Sequence, residues 1–155
     1  MRDQRGVTLI EILVTLLVTA IGLLGLASMQ LVNLKNINNS QYRTQATILA
    51  YSMAEKMRSN QAGVSNGSYD DIDGDESDPA CSPCTVDQIA RLDAYKWNQL
   101  IDASAENGGL PEGAKGTVTV RGNGLYDIVV SWEEQTRSSQ GGGIEQKNLT
   151  LTVRI

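Results

Sequence analysis

Histidine is absent from this chain, and so is phenylalanine. Without histidine the commonest general base and the commonest metal ligand are gone, which excludes nucleophilic triads and every zinc site that needs an imidazole. Cysteine occurs twice, leaving any zinc site two ligands short. Proline occurs three times and never before Pro79, and glycine is missing between Gly25 and Gly63. Nothing in that interval breaks a helix. The formal net charge is -5, with no basic cluster beyond Arg2 and Arg5. Such a chain carries no electrostatic footprint for nucleic acid.

The most informative absence is charge itself: none occurs between Glu11 and Lys35. Leu, Ile, Val, Ala and Gly dominate as far as Met29. A run of roughly 20 apolar residues is long enough to cross the hydrocarbon core of a bilayer as a helix. Arg2 and Arg5 ahead of it hold the short amino-terminal tail on the cytoplasmic side. Glu11 is the anomaly, since a central acidic residue costs on the order of 2.5–3.5 kcal/mol on insertion scales. An ordinary anchor gives it no purpose. A secretory signal peptide has a shorter apolar region and a small-residue cleavage site, which Gly25-Leu26-Ala27 matches only faintly.

Gly6-Val7-Thr8-Leu9-Ile10-Glu11 closely resembles the processing motif of type IV prepilins. The resemblance implies a short basic leader ending at Gly6, cut by a membrane peptidase, followed by N-methylation of Val7. Glu11 then stands as the fifth residue of the mature chain. Pilins usually begin with Phe, and here Val takes that place. A physical reason for the carboxylate accompanies the motif. Cleavage exposes an amine at the bilayer edge, and a carboxylate in hydrocarbon is tolerable when it meets a cation. A neighbouring subunit displaced along the helix axis brings its own Glu11 to another chain's Val7 amine, which makes an assembly register.

Beyond the apolar run, Tyr42, Ala46, Leu49, Met53 and Met57 recur at steps of three and four, an apolar stripe on a helix. The spacing predicts one helix from about Val7 to Ser59, all apolar first and amphipathic afterwards. Asn36, Asn38, Asn39 and Ser40 form helix less readily and mark where two helices would otherwise join. Gly22 and Gly25 are the soft points of the apolar half. Asn60 to Pro83 reads as a loop with a dense acidic stretch from Asp70 to Asp78. Asp71, Asp73 and Asp75 imitate the first ligands of a calcium loop. Its glycine comes too early, however, and Ser82 stands where a closing Glu belongs, so a solvated loop is the reading taken.

Thr85-x-x-Gln88 is a capping box, and a second helix follows to about Glu106, with Val86, Ile89, Ala90, Trp97, Leu100 and Ile101 on one side. It exits at Asn107-Gly108-Gly109 with Leu110-Pro111 beyond. The period then becomes two. Thr117–Arg121 and Tyr126–Trp132 flank Gly122-Asn123-Gly124 as a hairpin, and Asn148–Ile155 alternates again. Between them Glu133–Gly143, polar and glycine-rich, reads as a loop. Trp97 and Trp132 are expected in the core or at the sheet edge. The fold class is α+β, a long amino-terminal helix on a small antiparallel sheet of three or four strands with one short extra helix, which is also the fold of pilins.

An anchored domain outside the cytoplasm makes a Cys81–Cys84 disulfide the natural state. A catalytic pair would put the first Cys at a helix start inside a βαβ unit, and neither condition holds. The bridge reads as structural, worth roughly 2 kcal/mol at most on the chain-entropy estimate. Cys81-x-x-Cys84, Trp97, Leu110-Pro111 and Val130-Ser131-Trp132 resemble, in that order, the PilV type of minor pilin. The resemblance divides the chain into a leader (1–6), a transmembrane and assembly segment (7–34) and an extracytoplasmic domain (35–155). It implies a non-enzymatic, cofactor-free subunit of the inner membrane and then of a type IV pilus, serving assembly, adhesion and twitching motility. Implied partners are a prepilin peptidase and methylase, other minor pilins and the major pilin. The alternatives are a minor pseudopilin of a type II secretion system and, in another class, a membrane-anchored thiol oxidoreductase.

Overall fold

The computed structural model describes residues 8–103, 109–138 and 141–155. Its elements in chain order are α1 (Leu9–Ser59), α2 (Gln61–Ser65), β1 (Asp71–Ile72), α3 (Val86–Asp102), β2 (Lys115–Gly122), β3 (Leu125–Ser138) and β4 (Gly141–Arg154). The described residues form two units, one ending at Asn38 and one running from Asn39 to Ile155. The architecture is α+β and pilin-like, with the long helix α1 packed on a small antiparallel sheet.

α1 runs unbroken through Gly22, Gly25 and the Asn36–Ser40 stretch, so the joint between two helices does not form. From Asn39 onward it buries Ala46, Leu49, Ala50, Met53, Ala54 and Met57, a single face at helical spacing, with Tyr42 half-buried at its margin. Lys56 and Arg58 lie in the last turn, where cations meet the free carbonyls of a helix end. Asn60 then caps α2, its side-chain oxygen accepting from the Gly63 amide at 3.2 Å.

The segment from Asn60 to Pro83 is therefore not wholly a loop, since it holds α2 and β1. Ile72, the lone apolar residue among the acids, is what pins β1: it is buried and pairs with Val118. The sheet order is β1-β2-β3-β4, every pair antiparallel. The β2–β3 hairpin turns at Gly122-Asn123-Gly124, all three at positive φ (89°, 53° and 71°), with a register shift between Val120 and Gly122. Glycine and asparagine are the residues that reach such angles readily. Tyr126, Ile128, Val130 and Trp132 face the core from β3, with Val118 beside them on β2 and Val153 on β4.

Glu133–Gly143 departs from the sequence expectation. The β3–β4 ladder continues without a register shift from Leu125↔Arg154 to Ser138↔Gly141. Glycine and polar side chains argue locally for a loop, but an antiparallel ladder joins backbone to backbone. Once Trp132 has paired with Lys147, the following residues extend that ladder without needing an apolar face.

α3 opens with the capping box in place: Gln88 N donates to Thr85 Oγ1 at 3.3 Å, and Thr85 N to Gln88 Oε1 at 2.9 Å. Its described span ends at Asp102, and the exit residues Asn107 and Gly108 lie outside the described residues. The buried face is Ala90, Ala94, Trp97 and Ile101. Ile89 and Leu100, expected to share it, are 38% and 55% exposed. Each is one residue off the buried row, and one residue is about 100° around a helix. Gly116 of β2 lies beneath α3, where a Cβ would come within 2.4 Å of Ile101 Cδ1 and 2.5 Å of the Trp97 indole. Asn98 bonds the same glycine twice, accepting from its N–H at 2.8 Å and donating to its carbonyl at 3.1 Å.

Candidate functional site

The candidate site is the amino-terminal stretch of α1. Glu11 sits in the first turn, and the amides of Glu11 and Ile12 donate to Thr8 O at 3.1 and 3.3 Å. Every residue from Thr8 to Leu31 is exposed, including Leu9, Ile10, Leu13, Leu17 and Leu24. The helix is long and apolar enough to cross a membrane, and none of its most apolar window is buried in the protein. Two of its hydroxyls are satisfied within the helix, Thr15 Oγ1 donating to Ile12 O at 2.8 Å and Thr19 Oγ1 to Thr15 O at 2.6 Å. That suits hydrocarbon, where each unpaired polar group is costly. Glu11 is the one ionisable side chain from Leu9 to Leu34. Gly6 and Val7, the expected processing residues, lie outside the described residues.

In the second unit Cys81 and Cys84 form a disulfide, with Thr85 opening α3 immediately after. The candidate calcium residues are not brought together. Asp71 lies on β1, Asp75 pairs with Lys115 at 3.1 Å, and Asp73 Oδ1 accepts from the Asp75 amide at 3.0 Å. Among the described residues no group of three or more His, Cys, Asp or Glu is placed to hold a metal ion. A cleft of about 710 Å³ lies between this segment and α3, lined in part by Asp71, Glu76, Asp87 and Arg91. Both tryptophans are core residues. The Trp97 indole donates to Leu49 O at 2.8 Å and the Trp132 indole to Glu134 Oε1 at 3.1 Å.

Two polar clusters escaped the sequence reading. Tyr69, fully buried, donates to Asp93 Oδ2 at 2.9 Å, and Lys56 holds the other oxygen of Asp93 at 2.7 Å. Burial, with Asp93 adding to it, pushes the Tyr69 hydroxyl well above the usual phenol range. Glu134 is buried on β3, its two oxygens accepting from Arg43 Nε and Nη2 at 3.2 Å each. Its signal was available: Glu134 continues the two-residue period of Tyr126, Ile128, Val130 and Trp132. At the surface, hydrogen bonds from Ser68 and then Asn66 hold the Asp87 carboxyl below its ordinary value. The Thr152 hydroxyl, then Arg121, does the same for Asp127.

A family model described as the prokaryotic N-terminal methylation motif matches residues 1–27. No curated protein and no solved structure matches the chain. The matched motif covers Gly6, Val7 and Glu11 and runs well into the exposed apolar stretch of α1. It belongs to structural rather than enzymatic proteins, implies processing by a prepilin peptidase, and fits a membrane-anchored helix. Residues 1–27 thus carry a prepilin-type methylation motif, the kind found in type IV pilin-like and pseudopilin proteins.

Proposed function

We propose that the chain is a minor pilin of the PilV type, a subunit that takes part in initiating type IV pilus assembly and thereby in adhesion and twitching motility. The observation that carries this reading is Glu11, alone in the first turn of an exposed apolar helix within a methylation motif. In this reading residues 1–6 are a leader removed after Gly6, and Val7 becomes the methylated terminus. Residues 7–34 span the inner membrane with the amino terminus cytoplasmic, and residues 35–155 form the extracytoplasmic domain. The subunit then enters the pilus through α1, where Glu11 pairs with the amine of a neighbouring minor or major pilin. Cys81-x-x-Cys84 ahead of the Trp97 helix, Leu110-Pro111 and Val130-Ser131-Trp132 support the PilV type.

Intact mass of membrane-extracted protein tests the processing step. The expected species begins at methylated Val7, and a chain that keeps Met1–Gly6 in a peptidase-positive host would contradict it. Deletion of the gene tests the role. Loss of surface pili with secretion intact is the expected outcome, whereas loss of secretion with pili intact would place the chain among the pseudopilins.

A further inference from the structure

Among the described residues, Glu134 is the charged side chain buried with the core. It occupies the place on β3 where the two-residue period calls for a fifth apolar residue after Trp132. Its Oε1 accepts from Arg43 Nε at 3.2 Å and Trp132 Nε1 at 3.1 Å, and its Oε2 from Arg43 Nη2 at 3.2 Å. Across the ladder stands Glu145, which pairs with Lys147 at 2.7 Å. The Glu134 side chain is 2% exposed while that of Arg43 is 61% exposed. The carboxylate is thus dry, and the guanidinium that neutralises it faces water.

Arg43 stands one turn before Ala46, where the buried face of α1 begins. From Ala46 to Met57 the helix is held mainly by buried apolar contacts, with the Lys56–Asp93 pair and the Trp97 bond to Leu49 O beside them. Separating that face exposes hydrocarbon to water. The stretch before Ala46 is held in part differently, with a forked ion pair beside a half-buried Tyr42. Opening an ion pair whose cation is already wet lets both charges hydrate, so separation there is opposed far less than in the apolar row.

We propose that Arg43 and Glu134 form a releasable clamp, which holds the Asn39–Gln45 turn of α1 on β3 and can open while Ala46–Met57 stays packed. The clamp is independent of what the chain assembles with, and its function is to let the packed length of α1 vary within one folded domain. Bidentate geometry fixes the closed state, and the exposed cation makes that state sensitive to salt.

The two tryptophans report the two regions separately. The Trp132 indole is bonded to Glu134, in the clamp, and the Trp97 indole to Leu49 O, in the apolar row. Solvent exchange of both indole N–H protons can be followed by NMR on the full chain in detergent micelles. In the unaltered protein, raising salt should speed exchange at Trp132 and leave Trp97 unchanged. Arg43→Met, which favours the open state and lets water reach the indole that is 2% exposed when the clamp is closed, should speed Trp132 exchange several-fold, again with Trp97 unchanged. Arg43→Lys, which keeps the charge without the fork, should fall between. If the two indoles respond together, the pair only supports the global fold and the clamp is wrong. If neither responds to salt or substitution, the ion pair holds nothing, and the clamp is equally wrong.

Discussion

The two halves of α1 are one helix made under opposite rules. Up to Leu34 its side chains after Glu11 carry no charge and its apolar residues point in every direction, all exposed as far as Leu31. From Ala46 to Met57 the buried apolar residues keep to one face, which α3 and the sheet cover, while Ile48 and Tyr51 point away from it. A helix apolar all round requires an apolar solvent or other apolar helices; an amphipathic one completes its own domain. The difference explains why a carboxylate is an anomaly at Glu11 and unremarkable at Glu55.

Core truncation breaks that comparison most strongly. Trp97→Ala should lower domain stability by about 3–5 kcal/mol, and Met53→Ala by about 2–5 kcal/mol. Leu17→Ala, in the exposed half, should leave the denaturation midpoint of the same domain where it was. A midpoint that fell for Leu17→Ala as much as for Met53→Ala would erase the distinction.

Added charge inverts the ranking. Leu17→Lys should oppose membrane insertion by about 2.5–3.5 kcal/mol, read as loss of protein from the membrane fraction. Ile48→Lys, at a position 57% exposed on the other half, should change domain stability by no more than about 0.5 kcal/mol. Thr85→Ala sharpens the comparison on α3, where half of the capping box is lost at about 1 kcal/mol with no effect on insertion.

The smallest effects come from pH and fall on the second unit alone. Asp87 and Asp127 titrate below the ordinary carboxylate value. The stability they contribute is therefore present above about pH 4 and is lost as pH falls through their lowered values. Asp87→Asn should flatten that acid limb in a series of urea midpoints. Tyr69 has the opposite sign. Its hydroxyl titrates above the phenol range, so its contribution is complete below about pH 10 and declines as pH rises beyond. Tyr69→Phe should remove that alkaline decline while lowering stability at neutral pH through the lost bond to Asp93.

What the sequence disclosed follows from how local each signal is. The long helix, the Ala46–Met57 face, the Thr85 capping box and the Gly122–Gly124 turn rest on spacing within a few residues, and all are present. β1 was hidden because its partner lies far along the chain, and the continued β3–β4 ladder, a local hairpin, because its polar and glycine residues resemble those of a loop. Ile89 and Leu100 were misassigned because apolar character does not say which neighbouring row of α3 meets the sheet. The Arg43–Glu134 and Tyr69–Asp93 pairs join residues 91 and 24 positions apart, which no short-range pattern could reveal. In the candidate site itself, Glu11 stood out because a carboxylate in a charge-free run is visible without any structure.

Glu11→Val tests most directly the claim that the apolar half exists for assembly. Removing the carboxylate should ease insertion by the same few kcal/mol that its presence costs, so the variant should accumulate in the membrane and still be cut after Gly6. It should lose the partner for a neighbouring chain's amine, since an amine left unpaired in hydrocarbon is strongly unfavourable. The measurement is the amount of this subunit in sheared pili relative to membranes, variant against parent. The account predicts that the ratio falls while membrane abundance holds level; an unchanged ratio would contradict it.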